Sequence, residues 1–201
     1  MKLMNAKFTR TAIAIAFGSL FSAAVFAQST ATEVQRDVNQ QQRIEQGLQS
    51  GQLNTREAAK LEKEEARVNR TEANALKDGK LSAKEKARIQ REQNQVSRDI
   101  NKEKHDAQTG NPNSVSSKRL QADVQRNVNQ EKRIEQGVQS GQLTNREVGK
   151  LERGQARVDR KEARAGADGH VGAGEQAGIQ HAENRQSKRI FRQKHDAQTH
   201  Q

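Results

Sequence analysis

Apolar residues along this chain recur at spacings of three or four and rarely alternate. Val34, Val38, Ile44 and Leu48 mark one stripe, Leu61, Val68, Ala75 and Leu76 a second, and Ile89, Val96 and Ile100 a third. That period belongs to amphipathic helices. The positions between are mostly Gln, Glu, Lys, Arg, Asn and Ala, and all of these except Asn favour helix. Pairs such as Glu57 with Lys60 and Glu62 with Arg67 read as solvated helical faces. No β-branched or aromatic run suggests a strand, so the pattern predicts an all-α fold.

The same pattern is written twice. Residues 34–110 align without a gap with 124–200, and 44 of the 77 aligned positions are identical, which marks a tandem duplication. VQRDVNQQQRIEQGLQSGQL matches VQRNVNQEKRIEQGVQSGQL, and KHDAQT closes both copies. The stretch between, with the only proline, Pro112, reads as a linker. The expected organisation is a leader at 1–27, a three-helix module at 28–108, a linker at 109–120 and a second three-helix module at 121–201.

Four turns share one outline: SGQLNTRE at 50–57, DGKLSAKE at 78–85, SGQLTNRE at 140–147 and DGHVGAGE at 168–175. Each has Gly, an aliphatic residue two places on, and Glu six places after the Gly. The Gly suits the positive φ at which helices often end. Asn54 or Thr55, and Ser82, suit N-caps; Glu57 and Glu85 fall where they close capping boxes; Leu53 and Leu81 stand as hydrophobic staples. These are helix–turn–helix connections.

The outline also resembles the back half of an EF-hand loop. In the best copy, residues 74–85, Asn74, Asp78, Ser82 and Glu85 fall at ligand positions one, five, nine and twelve. Leu76 occupies position three, where oxygen is wanted, and Lys77, Lys80 and Lys84 add positive charge. The other loops depart further, with Gln46, or Arg164 and Gly172, at ligand positions. The resemblance is to degenerate EF-hands; it implies Ca2+ as a ligand, and capping alone is the competing reading.

RIEQGVQSGQLTNREVGKLERGQAR, ADGHVGAGEQAGI and RQKHDAQ together resemble a group of small exported bacterial helical proteins built on SGQLTxRE, ADGxxxxxE and RQKHDAQ repeats. The resemblance spans nearly all of each copy. It implies a helical fold and export, and it implies no chemistry.

Export is also read from the N-terminus. Lys2, Lys7 and Arg10 precede an apolar run from Thr11 to Phe26 that ends on Val25-Phe26-Ala27, as a secretory leader does. The run is about 16 residues, shorter than the ~20 a membrane span needs. Without the leader, the net charge of +11 loses those three cations and becomes +8, and Phe191 is the one aromatic left. There is no Cys, so no disulfide compensates for a thin core. Periplasm or secretion is the expected location, and self-association is one route to added stability.

The five His are His105, His170, His181, His195 and His200. His105 and His195 recur in the duplicated KHDAQT and are candidate ligands for a transition metal, although each His-Asp pair is adjacent in sequence and so faces two ways on a helix. Arg185, Lys188, Arg189, Arg192 and Lys194 form the densest basic run and are candidate polyanion contacts. Acids dilute the basic residues on every helix and no aromatic platform exists. With export, this argues against nucleic acid and for an acidic envelope protein, an anionic lipid or an anionic polysaccharide. No nucleophile motif, phosphate loop or HExxH pair is present, so no enzyme and no cofactor are expected. The favoured function is a non-catalytic envelope binding protein; the alternative is a metal- or calcium-binding stress protein. Gly154, Gly166, Gly172, Gly174 and Gly178 predict that the second module is the less stable.

Overall fold

The computed structural model describes residues 21–197, with side chains described from Thr30 onward. Most of the expected leader, and His200, lie outside the described residues. Six helices follow in order: α1 Phe21–Ser50, α2 Thr55–Ala75 with a short 3-10 turn at Leu76–Asp78, α3 Ala83–Lys104, α4 Val115–Gln139, α5 Asn145–Ala165 and α6 Ala173–Lys194. Among the described residues there is no strand, and no helix is long and apolar enough to cross a membrane. The predicted stripes lie inward: Val34, Val38, Ile44, Leu48, Leu61, Val68, Leu76, Ile89, Val96 and Ile100 are all buried. α4 starts inside the stretch expected to be linker, because Ser114 caps it by accepting from the Ser117 N–H at 3.1 Å.

The four turns close as their chemistry dictates. Gly51, Gly79, Gly141 and Gly169 have φ of 76°, 88°, 71° and 89°, where a Cβ would be strained. Glu57 Oε2 accepts the Asn54 N–H at 2.9 Å while the Asn54 side chain accepts from Glu57 N–H, which settles the first N-cap on Asn54. Ser82 with Glu85 and Thr144 with Glu147 make the same reciprocal box. Gly172 has no side chain, so the fourth turn keeps only the Glu175 half, at 2.9 Å. Leu53 and Leu143 lie so close to Gly47 and Gly137 that a Cβ there would come within 2.5 Å of leucine Cδ1.

The two copies do not stand side by side on a flexible tether. The most extensive helix contacts run between them, α2 against α5 and α1 against α4. α3 packs on α1 and α2, α6 on α4 and α5. Both clusters of the core mix the copies: Ile44, Leu61 and Val96 share one with Val124, Val158 and Ile179, and Val34, Leu76 and Ile89 share the other with Ile134, Leu151 and Ile190. α2 and α5 run antiparallel across a pseudo-twofold axis, with corresponding residues Asn69 and Asp159 joined at 2.9 Å.

The repeated turns take part in this exchange. Arg56, in the first turn of copy one, donates to the Asp168 carbonyl in the second turn of copy two at 2.9 Å. Its counterpart Arg146 donates to the Asp78 carbonyl at 3.2 Å. Each copy therefore uses both turns, one to reach out and one to be held. Within a copy, Arg43 donates to Ser97 Oγ at 2.6 Å and Arg133 to Ser187 Oγ at 2.7 Å, fixing α3 to α1 and α6 to α4.

Three of the six extra glycines of copy two, Gly149, Gly154 and Gly166, are packing devices. A Cβ on Gly149 would lie 2.9 Å from Leu76 Cβ, and one on Gly166 would lie 2.7 Å from Ala59 Cβ. These four positions correspond pairwise, so each interface pairs a larger residue of copy one with a glycine of copy two. The Gln186 amide fills the space beside Gly154, where any Cβ would collide with it. Gly174 and Gly178 face open space.

Candidate functional site

The central pair α2–α5 has two chemically opposite faces. The inward face carries Glu62, Glu65, Asn69 and Glu72 from α2 and Glu152, Gln155, Asp159 and Glu162 from α5, all at most 2% exposed. Asp37 from α1 and Glu131 from α4 join them at 1% exposure. The spacing puts these residues on the apolar side of each helix, next to Leu61, Val68, Leu151 and Val158. The expected solvated pairs are absent: Glu57 and Glu62 are buried, and Lys60 reaches Glu103 at 2.6 Å instead.

Two groups of three stand out. Asp37, Glu72 and Glu152 each offer an oxygen within 4.8 Å of the others, and so do Glu62, Asp159 and Glu162. Gln93 donates to Asp37 Oδ1 at 2.8 Å and to Glu72 Oε1 at 3.1 Å. Gln41 donates to Glu62 Oε2 at 3.0 Å, and Asn127 to Glu162 Oε2 at 2.6 Å. The remaining oxygens Asp37 Oδ2, Glu72 Oε2, Glu62 Oε1, Glu162 Oε1 and both of Glu152 receive no amide, hydroxyl or cation, although the carboxyls of Asp37 and Glu72, and of Glu62 and Glu162, can share a proton with each other. Burial pushes Asp37 and Glu62 up to about 7. Burial, reinforced by neighbouring carboxylates, holds Glu65, Glu72, Glu152, Asp159 and Glu162 well above the usual carboxylate range. Glu131 is raised likewise, by burial and by Asp37.

The outward face is the reverse. Every exposed residue of α5 is a cation: Arg146, Lys150, Arg153, Arg157, Arg160, Lys161 and Arg164. On α2 the exposed residues are Arg56, Lys60, Lys63, Arg67, Arg70 and Asn74. Along the two helices the acids are thus inside and the bases outside, except for the half-buried Glu64, which lies beside Arg67 and Arg70. The two stripes border a groove of about 570 Å³ floored by Ala59, Ala66, Ala163 and Ala167, with no carboxylate in its lining. Twenty-one residues of helix make each stripe about 30 Å long.

The residues singled out in the sequence fall in three places. Arg185, Lys188, Arg189 and Arg192 line one groove of about 560 Å³ with Arg133 and the exposed Phe191. Arg189 and Arg192 also face Lys150, Arg153 and Arg157, which joins the α6 run to the α5 stripe. Burial and the nearby Arg133 lower Lys194, whose stem lies against Gly137. In the 74–85 loop, Glu85 Oε2 accepts from the Ser82 N–H at 3.0 Å and Ser82 Oγ at 2.6 Å, and Asp78 Oδ1 accepts from Lys80 N–H at 2.9 Å. Asn74 lines a separate groove with Arg88 and Glu92. His105 and His195 are the C-caps of α3 and α6, each with Nδ1 2.7 Å from the carbonyl four residues back, and His195 stacks on Phe191.

The sequence signal for the buried acids was their position: 62, 65 and 72 share a face with 61 and 68. No protein-family model matches this chain, and comparisons with curated proteins and with solved structures return no match either.

Proposed function

We propose that this chain is an exported, non-catalytic helical binding protein of the cell envelope, and that the cationic face of α2 and α5 docks a linear acidic polysaccharide. One observation carries the reading: all seven exposed side chains of α5 are Lys or Arg, and an antiparallel α2 lays a second cationic stripe beside them. A single-sign groove focuses field lines and concentrates an oppositely charged polymer. Its floor is alanine, too shallow and apolar to recognise a compact metabolite. No aromatic side chain lines the groove, so it lacks the stacking platform on which single-stranded nucleic acid binding relies. The export leader supports an envelope partner over a cytoplasmic one, and the α6 run extends the same field.

The test uses heparin as a sulfated polysaccharide probe. Arg67→Glu with Arg164→Glu, both exposed and free of inter-copy hydrogen bonds to the turns, should weaken binding by about tenfold or more, and rising salt should weaken the unaltered chain. Arg98→Glu on α3 serves as control. Equal loss with the control, salt-insensitive binding, or tighter binding to duplex DNA than to heparin would each sink the reading.

A further inference from the structure

We propose that the buried carboxylates form a pair of sites for a hard divalent cation, one built from Asp37, Glu72 and Glu152 and the other from Glu62, Asp159 and Glu162. This stands apart from the polysaccharide reading, which concerns the opposite face. An acidic cluster alone would not suffice; the state of its oxygens is the second observation. Glu152 is 0% exposed and neither of its oxygens receives a hydrogen bond, and Glu65 beside the sites, 1% exposed, is in the same position. Buried polar groups are normally paired, and a carboxylate left without a donor is costly. A bound cation supplies the missing partner.

The geometry suits one. In each group the donor oxygens lie within 4.8 Å of one another. Oxygens that share one hard divalent ion, at about 2.0–2.6 Å from it, lie at most about 5 Å apart, so the three donors of each group can reach a single ion. The donors are all carboxylate, with no imidazole and no thiolate, which selects a hard ion over zinc or copper. Amides already hold the outer oxygens: Gln93 on Asp37 and Glu72, Gln41 on Glu62, Asn127 on Glu162. Such outer contacts orient ligands toward a metal.

The duplication makes the sites siblings. Glu72 corresponds to Glu162 and Glu152 to Glu62, so each site takes one glutamate from α2 and one from α5. The third ligand differs, Asp37 from α1 in one and Asp159 from α5 in the other. A third acidic group, Glu57, Glu103 and Asp106, shows what a committed cluster looks like: Glu57 caps α2, Glu103 takes Lys60, and Asp106 takes the Gln108 N–H.

Calorimetric titration of the purified full chain with calcium is the test. Two ions per chain are expected, and Glu152→Gln or Glu62→Gln should each remove one of them, weakening that site by about tenfold or more. Glu85→Gln, in the EF-hand-like loop, should leave both. No calcium binding by the unaltered chain, two ions retained in both core variants, or loss on Glu85→Gln overturns the proposal. Should a core variant lose helicity, the emission lifetime of terbium bound to the unaltered chain decides: an ion stripped of most of its water supports the buried sites, and a well-hydrated ion refutes them.

Discussion

Copies one and two share the left-handed glycines of their turns and differ in their core, and two kinds of difference stand out. The first is an exchange of acid for amide. Asp37 faces Asn127 in the alignment, Gln41 faces Glu131, Glu65 faces Gln155, Asn69 faces Asp159, and Gln93 faces Glu183. All ten are buried. Where the copies meet, an amide can then donate to a carboxylate, as Asn69 does to Asp159. The second kind is an exchange of size: Ala59, Glu64 and Leu76 against Gly149, Gly154 and Gly166. The comparison teaches that the copies have become complementary partners.

The sharpest way to test this is pH. Asp37 and Glu62 stand near 7 in the folded chain, against ordinary values of 3.8 and 4.5. The folded state then holds protons that the unfolded chain has released. That contribution to stability is complete below about pH 4 and is lost as pH climbs through 7. The metal-free chain should melt highest in mild acid, and its midpoint should fall by about 10 °C between pH 5 and 8. Asp37→Asn, which writes the residue of copy two into copy one, should flatten the fall. A midpoint that rises over that range would mean the acids are ionised and paired.

The size exchange has its own test. Gly154→Glu restores the residue of copy one and drives a side chain into Gln186, which should destabilise by about 1–3 kcal/mol. Adding Gln186→Val, the residue at the corresponding position in copy one, should return most of the loss. Urea melts of the single and double variants read the difference, and no recovery in the double variant would show that the two positions are not a matched pair.

The smallest effect separates packing glycines from incidental ones. Gly178 lies inside α6 with nothing near its missing Cβ. Gly178→Ala should stabilise by up to about 1 kcal/mol, and an unchanged or lower melting midpoint would contradict it.

Local features were legible in the sequence. Helix period, glycine at the left-handed positions and the Ser82–Glu85 box all depend on residues a few places apart, and Leu53 and Leu81 are buried as staples should be. Interleaving was not legible, because a stripe such as Leu61 and Val68 states which side of a helix is buried and not what covers it. The acids were misread for a related reason. Glu62, Glu65 and Glu72 look like solvent-facing charge by residue type, although their register places them beside Leu61 and Val68. The glycines of copy two read as helix breakers because the side chains they accommodate, Leu76 and Gln186, are distant in sequence.

Interleaving also bears on ancestry. A lone three-helix copy would leave its α2-type face, with its acids and leucines, open to water, and the surface best shaped to cover it is that of another identical copy. A twofold dimer is therefore the natural forerunner of this chain. In such a dimer every dyad contact pairs a residue with itself, acid against acid or amide against amide. With both copies written in one chain the two sides of the dyad are separate positions, so Asn69 and Asp159 can differ as donor and acceptor.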